Sequence, residues 1–130
     1  MEILSLDHLV LTVKDINISV DFYCRLLGMK HIQFGDNRHA LSFGDQKINL
    51  HQADNIFLPA AKRPAEGSAD LCFIVGTPIE QIVAELNEAD VDIIQGPVER
   101  TGATGKILSV YIRDPDMNLL ELSNRVNIST

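Results

Sequence analysis

The strongest constraint on this chain of 130 residues is that it repeats itself. Leu6-Asp7-His8-Leu9-Val10-Leu11-Thr12-Val13 lies over Ser68-Ala69-Asp70-Leu71-Cys72-Phe73-Ile74-Val75 at an offset of 62, and both read as short β-rich strands. The same offset carries Leu27-Gly28-Met29 onto Ala89-Asp90-Val91, where a helix is expected to stop in each half. Lys47-Ile48-Asn49-Leu50-His51 then lies over Leu119-Leu120-Glu121-Leu122-Ser123 at an offset of 72, and the ten extra residues are expected in a longer loop around Gly96 to Gly105.

The helices carry their own punctuation. Thr77-Pro78-Ile79-Glu80 offers a hydroxyl N-cap, a proline at the first helical position and a carboxylate to complete a capping box. Ile79, Ile82, Val83 and Leu86 follow as one apolar stripe. In the first half, Ile18, Phe22 and Leu26, with Tyr23 and Leu27 beside them, form a similar stripe ended by Gly28. Strand character follows each helix, over residues 30–34, 40–43 and 47–51 and again over 92–94, 107–113 and 119–123. Each half therefore reads βαβββ, giving an α+β chain with module one at 1–51, a linker at 52–67 and module two at 68–130. The linker contains Pro59, Pro64 and Gly67 and also the apolar run Ile56-Phe57-Leu58, so surface anchoring of at least one end is expected.

Composition narrows the function. With 45% hydrophobic and 22% charged residues the chain reads as soluble and globular, and a formal charge of −7 disfavours a nucleic-acid partner. No run approaches the roughly 20 apolar residues of a membrane span. No signal peptide is legible at Met1-Glu2, and Cys24 and Cys72, read as small buried thiols, suggest a reducing, cytoplasmic compartment.

The polar residues that recur at matching strand positions are the candidate site. His8 and Asp70 are equivalent on the opening strands, and Asn49 and Glu121 on the closing strands, with His51 two residues beyond Asn49 on the same face. Singly, each reads as a solvated or turn residue. Jointly, an imidazole and carboxylates on sheet faces offer ligands for a divalent ion such as Zn, Mn, Ni or Fe.

Three segments carry a family resemblance. The opening Leu6 to Val13, the helix end Phe22-Tyr23-Cys24-Arg25-Leu26-Leu27-Gly28-Met29, and Arg113-Asp114-Pro115-Asp116-Met117-Asn118-Leu119-Leu120-Glu121-Leu122 resemble the vicinal oxygen chelate superfamily. That superfamily includes glyoxalase I, fosfomycin-resistance transferases and extradiol dioxygenases. Phe43-Gly44-Asp45-Gln46-Lys47, Asn49-Leu50-His51 and the run from Gly96 to Ala103 look most like small glyoxalase-domain-containing proteins.

The resemblance implies paired βαβββ modules in a U-shaped, mostly antiparallel sheet around one metal. It implies His8 and Glu121 as metal ligands, with Asp70 standing where His is usual and Asn49 where glyoxalase I has a carboxylate. Glu121 and then Asp70 become the expected proton acceptors. Ser109 and Tyr111 fall where fosfomycin-resistance proteins contact an oxyanion, and Asn49 and His51 become substrate contacts. The activity so implied is a metal-dependent lyase or isomerase acting on a small 2-oxoaldehyde–thiol adduct such as a glutathione adduct, in a homodimer. A thiol or water transferase, an extradiol dioxygenase and a non-catalytic ligand-binding module are the alternatives.

Overall fold

The computed structural model describes residues 1–126 and divides into two compact units at Ser68 and Ala69. In the first unit, β1 (His8–Val13) leads into α1 (Ile16–Asp21) and a π-helical turn (Phe22–Leu26), followed by β2 (Lys30–Phe34), β3 (Arg38–Phe43) and β4 (Gln46–Gln52). The sheet order is β1-β4-β3-β2, with β1 parallel to β4 and the other pairs antiparallel. A parallel pair needs a crossover, which the helix provides, whereas the antiparallel strands need only tight turns. Phe43 pairs with Gln46 across Gly44-Asp45, and Gly44 takes the left-handed conformation (φ +54°) that such a turn asks of its first residue.

The second unit repeats this plan. It contains β5 (Asp70–Ile74), α2 (Ile79–Glu88), β6 (Gln95–Gly102), β7 (Gly105–Arg113) and β8 (Leu119–Arg125), in the order β5-β8-β7-β6. Again the first and last strands are parallel. His8 pairs with Lys47 in the first unit and Asp70 with Leu119 in the second, so the repeat reproduces the strand register at both offsets. The helix stops recur as well, with Gly28 at φ +74° and Asp90 at φ +56°.

Both sheets bury one apolar face. In the first unit that face carries Leu11, Val13, Leu41, Ile48 and Leu50, all buried, and in the second it carries Val110, Ile112, Leu120 and Leu122. The expected stripe of α2 is buried at Ile79, Ile82 and Leu86. Truncating a side chain as enclosed as Leu86 to Ala costs about 2–5 kcal/mol.

Four local expectations need correction. The Thr77 hydroxyl does not cap α2: Pro78 is the N-cap with no side-chain bond, and the Thr77 and Val75 carbonyls accept from Asn124 Nδ2 at 2.8 and 3.0 Å. Asp15 makes the side-chain cap instead, at α1, accepting from the amides of Asn17 and Ile18. In the first helix Ser19 and Tyr23 are buried while Ile18 is 55% exposed, so the buried face lies one residue round from the expected stripe, and the π turn from Phe22 breaks the 3.6-residue spacing beyond it. Residues 92–94 are not a strand, and Gly96 to Gly105 is not a long loop. It is most of β6 and its hairpin to β7. Pro97 is accommodated because β6 is an edge strand whose register shifts between Gln95 and Val98. Gly96, at φ +104°, lies so close to the Ser109 carbonyl that a Cβ would collide with it.

The Asp-Pro-Asp run is a built turn. Asp114 Oδ1 accepts from the amides of Asp116 and Asn118, both at 2.9 Å, and Oδ2 accepts from Asn118 Nδ2 at 2.8 Å. Asn118 Oδ1 in turn accepts from the Ala69 amide at 2.8 Å, which ties the β7–β8 connection to the start of β5. Asp114 and Asn118 are buried, so these bonds stand in for lost water.

Candidate functional site

In a parallel pair, residues in register share a face. The first unit therefore places His8, Val10 and Thr12 of β1 beside Lys47, Asn49 and His51 of β4. His8 is opposite Lys47, two residues before the Val10–Asn49 pair, and its side chain is 40% exposed. Its Nδ1 lies 2.8 Å from Asp7 Oδ1. A carboxylate only accepts, so Nδ1 carries a proton, and in the neutral imidazole this makes Nε2 the acceptor, the arrangement that orients a metal-binding histidine.

Asn49 and His51 are buried, at 6% and 4% exposure, and Asn49 Oδ1 and His51 Nε2 have no hydrogen-bond partner. His51 meets the edge of Phe57 at a centroid distance of 5.5 Å, so the expected apolar anchor of the connecting segment packs on a site residue. The guanidinium of Arg38 stands over the Phe57 ring at 5.0 Å and over Phe34 at 5.1 Å. Burial, and then the Arg38 charge, lowers the His51 pKa and favours the neutral imidazole.

The second unit gathers Asp70, Glu121, Ser109 and Tyr111 on one face of its sheet: Cys72 and Tyr111 flank Glu121 in register, and Asp70 is opposite Leu119. Ser109 Oγ donates to Glu121 Oε2 at 2.6 Å and lies 2.7 Å from Ser123 Oγ, and Cys72 Sγ lies 3.4 Å from Ser123 Oγ. The directions follow from the end of the chain. Glu121 as carboxylate only accepts, so the single Ser109 proton goes to it, Ser123 donates to Ser109, and the Cys72 thiol donates to Ser123. Desolvation raises the Cys72 pKa, and the Glu121 and Asp70 charges raise it further, so the thiol keeps its proton. Tyr111 accepts from Arg100 Nε at 3.0 Å.

Cys72 corrects an expectation, because it is exposed on this polar face rather than buried as a small apolar group. Its two apolar sequence neighbours, Leu71 and Phe73, occupy the opposite face, and alternation was the signal that would have placed it. Arg38, Arg100 and Ser123 were missed. Ser123 is the repeat partner of His51, and only the register shows that this position is enclosed in both halves.

Each unit taken by itself offers donor types suited to a divalent ion: a carboxylate-oriented imidazole at His8 in the first, and carboxylates at Asp70 and Glu121 in the second. Among the described residues, no three His, Cys, Asp or Glu side chains form a ready metal cluster.

Two four-stranded mixed sheets, each built as βαβββ with polar residues on one face, define a glyoxalase-like α+β protein. The family model of the Glyoxalase/Bleomycin resistance protein/Dioxygenase superfamily matches residues 5–122, and the chain belongs to that superfamily. It is 58% identical over 121 residues to virulence protein STM3117 of Salmonella typhimurium, covering 93% of this chain and 84% of that protein. The crystal structure of STM3117 superposes with a TM-score of 0.95 over 97% of this chain and all of that one (100%). The glyoxalase domain-containing protein RDO1 of Mycosarcoma maydis is 52% identical over 95% of this chain and 70% of its own length. Lactoylglutathione lyase from Agrobacterium tumefaciens shares the fold, with a TM-score of 0.71 at 18% identity over 92% of each chain. No helix among the described residues is long and apolar enough to cross a membrane.

Proposed function

We propose that the chain is a metal-dependent lyase or isomerase of the glyoxalase I type, acting as a homodimer on the adduct of a small 2-oxoaldehyde with a thiol such as glutathione. The observation that carries this reading is the pair of carboxylates, Asp70 and Glu121, on one face of the second sheet, with Glu121 Oε2 held by Ser109. His8, Asp70 and Glu121 are the residues that would hold the ion, in sites completed by a second copy of the chain. The metal, nickel, zinc, manganese or iron, supplies Lewis acidity toward two neighbouring substrate oxygens when bound.

Glu121 takes the proton from the carbon that carries the thiol sulfur and returns it to the adjacent carbon. With the hydroxyl proton passing from the first carbon's oxygen to the second's, the adduct becomes a 2-hydroxy thioester with no net gain or loss of atoms. Ser109 donates to Oε2, which fixes the carboxylate and leaves Oε1 for the proton. Asn49 cannot take a proton, so the first unit contributes positioning at this strand position. A cytoplasmic, reducing location is in keeping with two free cysteines.

Full-length protein loaded with nickel, manganese or zinc should convert the methylglyoxal–glutathione adduct to lactoylglutathione. Glu121→Gln should lower the rate by about 10²–10⁴-fold. Analytical ultracentrifugation at micromolar concentration should find a dimer. No turnover with any of these metals, together with thiol transfer to an epoxide, would replace the lyase by a transferase.

A further inference from the structure

The polar face of the first sheet has an electrostatic character that the reaction leaves unexplained. Its strand positions include Lys30, Arg38 and Lys47 and, among the described residues, no Asp or Glu, in a chain whose formal charge is −7. Lys47 and Arg38 both stand over the Phe34 ring, at 4.4 and 5.1 Å from its centroid, so neither cation is spent on a carboxylate there. Beside them, Asn49 Oδ1 and His51 Nε2 are buried without partners. Such groups cost free energy when left unmet, and a ligand that meets them recovers it.

We propose that Arg38, Asn49 and His51 form a recognition site for a small organic carboxylate that carries a hydrogen-bond donor beside its charge, of which a 2-hydroxycarboxylate is the simplest form. Arg38 supplies the cation, Asn49 Oδ1 accepts from the ligand hydroxyl, and His51 Nε2 takes the second polar contact. Arg38 falls opposite His51 in the continuation of the β3–β4 register, which puts the charge beside the orphaned imidazole. Phe57 packs against His51 at a centroid distance of 5.5 Å, so entry requires that ring to move aside. The site goes beyond the lyase reading, since its ligand is an anionic hydroxylated molecule and its binding does not depend on the metal.

The test is a titration of isotope-labelled full-length protein, in excess chelator, with L-lactate, acetate, glycerol and inorganic phosphate, following the His51 ring and Asn49 side-chain amide signals. Lactate should shift both signals, with affinity at least about tenfold above acetate, which lacks the hydroxyl, and glycerol, which lacks the charge. Arg38→Gln should weaken lactate by about tenfold or more, and Arg38→Lys should recover part of the loss. Equal effects of lactate, acetate and glycerol, or an unchanged Arg38→Gln, would overturn the site. Tighter binding of phosphate would overturn the carboxylate assignment. Shifts that appear only after metal is added would overturn it too while leaving the lyase reading intact. Lactate binding in a protein that turns over no adduct would reject the lyase and keep the site.

Discussion

Ser109 donates to Glu121 across the β7–β8 pair at 2.6 Å, and that bond ends a directed chain from the Cys72 thiol through Ser123. Because Ser109 is fully buried, its hydroxyl cannot be replaced by water without rearrangement. Ser109→Ala should cost about 1–3 kcal/mol, read as a lower urea midpoint with an unchanged slope. An unchanged midpoint would mean that the chain of hydroxyls contributes nothing to stability.

Metal affinity should depend on a residue that never touches the ion. Asp7 orients His8 through Nδ1, so Asp7→Asn should weaken binding by about 10–100-fold while His8→Ala and Glu121→Gln remove more. Competition with a colorimetric chelator gives all three affinities, and full retention in His8→Ala and Glu121→Gln would reject the ligand assignment.

Asp90 follows α2 in the left-handed conformation, at φ +56°, where its first-half counterpart is Gly28. A Cβ is disfavoured there, and a carboxylate at a helix C-terminus meets the negative end of the dipole. Asp90→Gly should therefore stabilise by about 0.5–1 kcal/mol, despite the added entropy of the unfolded chain. A rise of a few degrees in Tm is the expected reading, and a fall would mean that Asp90 makes a favourable interaction of its own.

Acid should destabilise the protein through its histidines. The His51 pKa is lowered by burial and then by Arg38, and that of His39 by burial and then by His31. A depressed pKa means that the unfolded chain binds protons first, so the stability these groups contribute is present above their ordinary value of about 6.5 and is lost as pH falls through the folded value. Urea midpoints should decline between about pH 7 and pH 5, and His51→Gln should flatten the decline. An equal decline in that variant would assign the effect elsewhere.

The residue pattern alone determined the two βαβββ halves, the α2 stripe and the matching strand positions of His8, Asn49, His51, Asp70 and Glu121. Side-chain alternation and helical spacing are local rules, and an offset between two similar halves carries register from one to the other. The tertiary structure decided the rest. Thr77 has the sequence of a cap but loses its role because Asn124 holds the backbone beside it, and Pro97 enters a strand because β6 has a free edge. Asn49 and His51 were left buried with unmet atoms. These outcomes depend on which residues meet across strands and loops far apart in the chain, and local spacing does not encode that.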